Sequence, residues 1–104
     1  LGPVRSVMGR VLPAPGEGPS PERQEQGYYD LRFHGTTAGG DEIMVKVTGD
    51  RDPGYGSTAK ILAEAATTLM HSEAVGGFWT PATALGDPFI DALVEYAGLT
   101  FEVL

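Results

Sequence analysis

Between residues 28 and 48 the chain alternates twice. Tyr29, Leu31 and Phe33 are separated by Asp30, Arg32 and His34, and Ile43, Val45 and Val47 by Met44, Lys46 and Thr48. Successive side chains of a strand point to opposite faces, so each run builds one apolar face and one polar face. The intervening Thr36-Thr-Ala-Gly-Gly-Asp41 has turn composition, and the two runs are expected to pair as an antiparallel hairpin. A lone two-stranded hairpin is marginal in water, so its apolar face has to be covered. That requirement restricts what the remaining segments can be.

The segment that follows is suited to the task. Tyr55, Ala59, Leu62, Ala66 and Leu69 fall on one helical stripe that Ile61 and Ala65 widen, which predicts a helix over about 54–71 lying on the sheet. Either Asp52, ahead of Pro53, or Ser57 can cap its start. Thr80-Pro81 and Asp87-Pro88 each read as a cap followed by a first-turn proline. The tail therefore holds either a short turn and then a helix over about 88–97, or one helix kinked at Gly86 to Pro88. Phe89, Leu93 and Tyr96 form its apolar stripe, Gly98 closes it, and alternation in Leu99–Leu104 predicts a third strand. Upstream, Val4, Val7, Met8, Val11 and Leu12 predict a short N-terminal helix bounded by Pro3 and Pro13. Residues 13–27 form a Pro/Gly-rich connector, in which Ser20-Pro21 can cap a single helical turn. The sum is an α+β fold. A small, at least partly antiparallel sheet (hairpin 28–48 plus strand 99–104) is covered by two main helices and preceded by a short one.

At 104 residues the chain is expected to be a single domain burying roughly two thirds of its unfolded surface, enough to fold without metal or crosslinks. The net charge of −7 (14 acidic against 7 basic side chains) with no basic cluster excludes nucleic acid as a natural partner. No apolar run approaches the roughly 20 residues that span a bilayer. Zero cysteines remove disulfides and thiolate chemistry and suit a cytoplasmic location. A start at Leu1 rather than Met, with no basic, apolar-cored leader, reads as a trimmed piece.

The residues offer little chemistry of their own. A nicotinamide or flavin site needs a strand running into a Gly-x-Gly-x-x-Gly turn and a helix, and no such unit occurs. Gly54-Tyr-Gly-Ser-Thr58 opens a helix and can be read as an ordinary helix entry or as an anion or acyl-ligand site on free amides, without matching the dinucleotide spacing. His34 and His71 lack a second histidine or carboxylate at ligand spacing, so no metal site is assigned. Ser20, Ser57 and Ser72 lack a sequence-local base, so no catalytic residue is assigned. Trp79, between Phe78 and Thr80-Pro81, is either a lid on the core or exposed for a partner.

Taken in order, Pro15-Gly-Glu-Gly-Pro-Ser20 with Gly27-Tyr-Tyr29, Asp52-Pro-Gly-Tyr55 leading into Thr58-Ala59, and Gly77 with Thr80-Pro-Ala-Thr-Ala-Leu-Gly86 resemble the C-terminal part of the saccharopine dehydrogenase-like oxidoreductases. The closest likeness is to the bacterial group that includes trans-acting enoyl reductases. The resemblance runs from about Pro13 onward. It implies a parent NAD(P)-dependent oxidoreductase whose N-terminal Rossmann domain, missing here, binds NAD(P)H. It also implies a C-terminal α+β portion that supplies substrate-side wall and subunit contacts, including a homodimer. The fragment itself is expected to hold no cofactor and to be inactive alone. Substrate-side candidates are Tyr55, Ser57, Thr80 and Thr83. The alternative is a self-standing dimerisation or interaction module using the hairpin edge or the Trp79 loop.

Overall fold

In a computed structural model of the chain, the described residues are 7–9, 12 and 16–104. Residues 7–9 are helical and the Leu12 amide donates to the Met8 carbonyl at 2.9 Å, in keeping with a helix there. The rest of the expected 3–12 helix lies outside the described residues. Next comes a short helix, α1 (Pro21–Gln26), with Ser20 as cap: its hydroxyl accepts from the Arg23 amide at 3.4 Å, and Pro21 opens the turn. The Asp52 amide donates to the Gln24 carbonyl at 3.0 Å, which docks α1 on the loop after the hairpin. Gly27 makes this approach possible, because a Cβ there would overlap the Asp52 backbone.

The expected hairpin is present as β1 (Tyr29–Thr36) and β2 (Glu42–Gly49), antiparallel, with Tyr29 opposite Gly49 and Thr36 opposite Glu42. Its loop closes through the Thr37 hydroxyl, which accepts from the Asp41 amide at 3.1 Å, with Gly40 at φ +91°. The C-terminal strand β3 (Leu99–Val103) adds antiparallel to β2, giving the order β1-β2-β3. Paired residues share a face, so Leu31, Val47 and Phe101 stand in one row and Phe33, Val45 and Val103 in the next. The opposite face is polar, with Lys46 and Glu102 ion-paired at 3.4 Å and the Thr48 and Thr100 hydroxyls bonded.

Two longer helices pack against each other, α2 (Gly56–Met70) and α3 (Pro81–Tyr96). The tail is two helical segments joined across a kink, so a short first turn and the longer helix expected over about 88–97 both appear. Gly86 breaks α3 at φ 56°, ψ −144°, just ahead of Pro88, which has no N–H to give and whose ring crowds the preceding turn. Asp52, not Ser57, caps the entry to α2: its carboxylate accepts from the amides of Tyr55 at 2.6 Å and Gly56 at 3.3 Å.

The core is Leu85, Phe89, Leu93, Ala97 and Leu99, with Val47, Ile61, Ala65 and Ala84 packed against it. Two expectations need correction. In α3 the inward stripe is Leu85, Phe89 and Leu93, four residues apart, while Tyr96 is exposed. In α2 the packing side is Ile61 and Ala65, and Leu62, Ala66 and Leu69 face outward. The helix is apolar on both flanks, so periodicity alone does not choose between them.

The helices cover the sheet only at its Gly49–Leu99 end, where both residues are buried. Farther along the same face Leu31, Phe33, Ile43 and Val103 are exposed, Phe33 at 55% and Val103 at 73%.

Candidate functional site

The four substrate-side candidates fall in two places. Tyr55 and Ser57 stand at the start of α2, whereas Thr83 packs near Ala74, just past its end. The helix between them is about 20 Å long.

At the first place, the chain itself satisfies the amides that a helix start offers to anions. Asp52 takes the Tyr55 and Gly56 amides on its carboxylate and the Ser57 amide on its carbonyl, at 2.8 Å. The Ser57 hydroxyl is 1% exposed and bonded to the Tyr29 hydroxyl at 2.9 Å. Tyr55 is exposed, its ring resting on Gly18, where a Cβ would stand 3.2 Å from Cζ. With Pro19, Ser20, Arg23 and Asp52 it lines an open polar trough. Nearby, Glu22 has its carboxyl held below the usual range, first by a backbone amide at the α1 start and then by the Ser20 hydroxyl.

At the second place, Thr80 caps α3. Its hydroxyl accepts from the Thr83 amide at 3.4 Å and bonds the Thr83 hydroxyl at 2.9 Å, while the Thr80 carbonyl takes the Ala84 amide. The capping pair thus fixes where α3 leaves the Trp79 loop. Trp79 is no lid on the core. It is 57% exposed, and its indole N–H donates to the Val75 carbonyl at 3.1 Å. Gly77 lies so close that a Cβ there would meet the indole nitrogen at 2.6 Å. The indole, held from both sides, walls a groove of about 460 Å³ between α2 and α3, floored by Leu62, Ala66 and Leu69 and closed by Pro81 and Leu85. Apart from the Trp79 indole, the side chains that line it are aliphatic. Thr83 sits in an adjoining hollow of about 220 Å³ that shares Ala74, Val75, Trp79 and Ala84 with the groove.

Sequence reasoning took the outward stripe of α2 for a core face, which hid this groove. The available signal was a second apolar flank, Leu62-Ala66-Leu69, running up to Gly76-Gly77 and the single tryptophan.

The histidines remain apart. His34 pairs across the hairpin with Glu42 at 3.7 Å, and His71 Nδ1 lies 2.9 Å from the Thr67 carbonyl at the end of α2. No group of three potential metal ligands occurs among the described residues. Ser72 bonds the Leu69 carbonyl, and Ser20 is the α1 cap. None of the described helices is long and apolar enough to cross a membrane.

Comparison with known proteins gives relatives over most of the chain. A candidate trans-acting enoyl reductase of Mycobacterium tuberculosis is 36% identical over 93 residues, covering 86% of this chain and 22% of the relative. Trans-acting enoyl reductases of Mycobacterium bovis and Mycobacterium leprae are 34% identical over the same length and shares. The chain is therefore homologous to one segment of these proteins and spans about a fifth of the length of the curated relatives it matches. No family model matches the chain. No solved structure matches it either.

Proposed function

We propose that this chain is the C-terminal substrate-side and assembly portion of a bacterial, cytoplasmic, NAD(P)-dependent oxidoreductase of the enoyl reductase type. In this reading the parent is saccharopine dehydrogenase-like, and a Rossmann domain elsewhere in the polypeptide carries the cofactor. Alone, the chain is inactive. The observation that carries the reading is the bare apolar stretch of the sheet, Leu31, Phe33, Ile43 and Val103, continuous with the core. More than three quarters of each relative lies outside the matched segment, so there is polypeptide in such a protein to cover it.

Titration calorimetry with NADPH and NADH tests the first half. The isolated chain is expected to give no binding heat, and micromolar affinity for either nucleotide would overturn the reading. The second half is tested by joining the chain to a nicotinamide-binding domain and following NADPH oxidation with a 2-enoyl thioester.

The same bare face is what a self-standing dimerisation module would present. Sedimentation velocity separates the two. A tight, homogeneous dimer of the isolated chain favours the module, and a monomer or polydisperse association favours the incomplete domain.

A further inference from the structure

The open trough at the start of α2 has features that the assembly reading does not use. Two stretches remote in sequence meet there, Gly18 to Ser20 ahead of α1 and Asp52 with Tyr55 ahead of α2, and Arg23 lines it beside them. The docking of α1 accounts for part of this meeting, since the Asp52 amide bonds the Gln24 carbonyl. It does not account for Tyr55. A Cβ on Gly18 would stand 3.2, 3.3 and 3.5 Å from the Tyr55 Cζ, Cε2 and Cε1 atoms, so the glycine lies against the face of the ring. Supported on that side, the side chain is still 57% exposed, a flat aromatic surface left open to water.

Free hydrogen-bonding groups share the trough with this ring. Asp52 Oδ2 accepts from the Tyr55 and Gly56 amides, while Oδ1 has no partner among the described residues. The Arg23 guanidinium forms no ion pair among them either. The volume, about 730 Å³, falls in the range of small-molecule sites. Charge and chemistry then select the ligand. One guanidinium stands with two carboxylates, Asp52 and Glu17, a balance that disfavours phosphates and carboxylates. A cation would meet the guanidinium, and an apolar ligand would take water from Arg23 and Asp52 and return no hydrogen bond. A pyranose suits all three groups. The C–H bonds of its flat face carry slight positive charge and meet the negative face of an aromatic ring. Its rim hydroxyls both accept from a guanidinium and donate to a carboxylate.

We propose that this trough binds a neutral sugar, one pyranose ring stacked on the open face of Tyr55 with its hydroxyls bonded to Arg23 and Asp52. The inference rests on the trough alone and is independent of the enoyl reductase reading.

The 104-residue chain, isotope-labelled for NMR, is titrated with the methyl pyranosides of glucose, mannose and galactose and with maltose and cellobiose. At least one is expected to bind with roughly millimolar affinity, as suits an open site. Binding should move the Gly18 and Tyr55 amides and the Arg23 Nε–H resonance together and saturably. Tyr55→Phe keeps the aromatic face and is expected to bind as the parent does. Tyr55→Leu and Arg23→Gln, both at exposed positions, are expected to weaken binding at least about fivefold. Three results overturn the proposal: no saturable shift with any of these sugars, shifts that map elsewhere, or affinity unchanged in both weakening variants. Inorganic phosphate or tetramethylammonium moving the same resonances at lower concentration than every sugar would assign the trough to an ion and also overturn it. Equal affinity for a free sugar and its methyl glycoside would support the terminal unit of a glycoconjugate as the source, and preference for the free sugar would support a monosaccharide. Because the sugar series uses the unaltered chain, the test stands even if a variant misfolds.

Discussion

The Tyr29 and Ser57 hydroxyls stand 2.9 Å apart and tie the first strand to the second helix. The bond depends on Gly49, which pairs with Tyr29 across the hairpin: a Cβ there would overlap the Tyr29 ring, so only glycine lets the ring lie over β2 and reach α2. With Ser57 buried and engaged in this way, replacing it should register first in stability. Ser57→Ala and Tyr29→Phe are each expected to cost about 1 kcal/mol in urea unfolding. The double variant should lose less than their sum by at least about 0.5 kcal/mol. Strict additivity would mean that the two hydroxyls do not cooperate.

Thr80 holds the start of α3 through Thr83. Thr80→Ala should destabilise the chain by about 1 kcal/mol, whereas Thr80→Ser, which keeps the accepting oxygen, should be near neutral. Amide exchange at Thr83 and Ala84 should quicken in the alanine variant alone.

Two glycines at positive φ separate backbone strain from crowding. Gly40, at φ +91°, has open space where a side chain would go, so Gly40→Ala should cost about 1–2 kcal/mol from the left-handed backbone alone. At Gly98, φ +73°, a Cβ would run into the Asp50 carboxylate as well. Gly98→Ala should therefore cost more than Gly40→Ala by about 1 kcal/mol or more, the usual penalty of overpacking. Equal shifts in thermal midpoint would show that Asp50 simply moves aside.

The sheet face offers a contrast between bare and buried apolar residues. Phe33→Asp and Val103→Lys should leave unfolding free energy within about 0.5 kcal/mol of the parent, since these side chains are already in water. They should also strongly reduce the binding of anilinonaphthalene sulfonate. Phe89→Ala, at a 7% exposed position, should cost about 3–5 kcal/mol. A large loss on Phe33→Asp would mean that the face is covered in solution.

Much of the fold is readable one segment at a time. The alternation in 28–48 and 99–104, the Ser20 cap, the proline starts and Gly98 at φ +73° all reflect backbone preferences that act over a few residues. The site was less legible. Thr80 and Thr83 are recognisable as a possible cap in sequence, but the apolar trough beside them is assembled from Leu62, Leu69, Val75, Trp79 and Leu85, which are brought together only by the packing of α2 on α3.

By itself the sequence determined the type and order of the elements, because periodicities of two and of about 3.6 residues settle strand from helix locally. It also determined the acidic balance and the absence of any local dinucleotide-binding turn. Only the tertiary structure decided which flank of α2 faces the core and how far the helices reach across the sheet. α2 is apolar on two sides, and nothing in a local pattern states which of two available surfaces will find a partner. Burial depends on the shape of what lies opposite, and here Ile61 and Ala65 pack against the core while Leu31 and Phe33 are exposed.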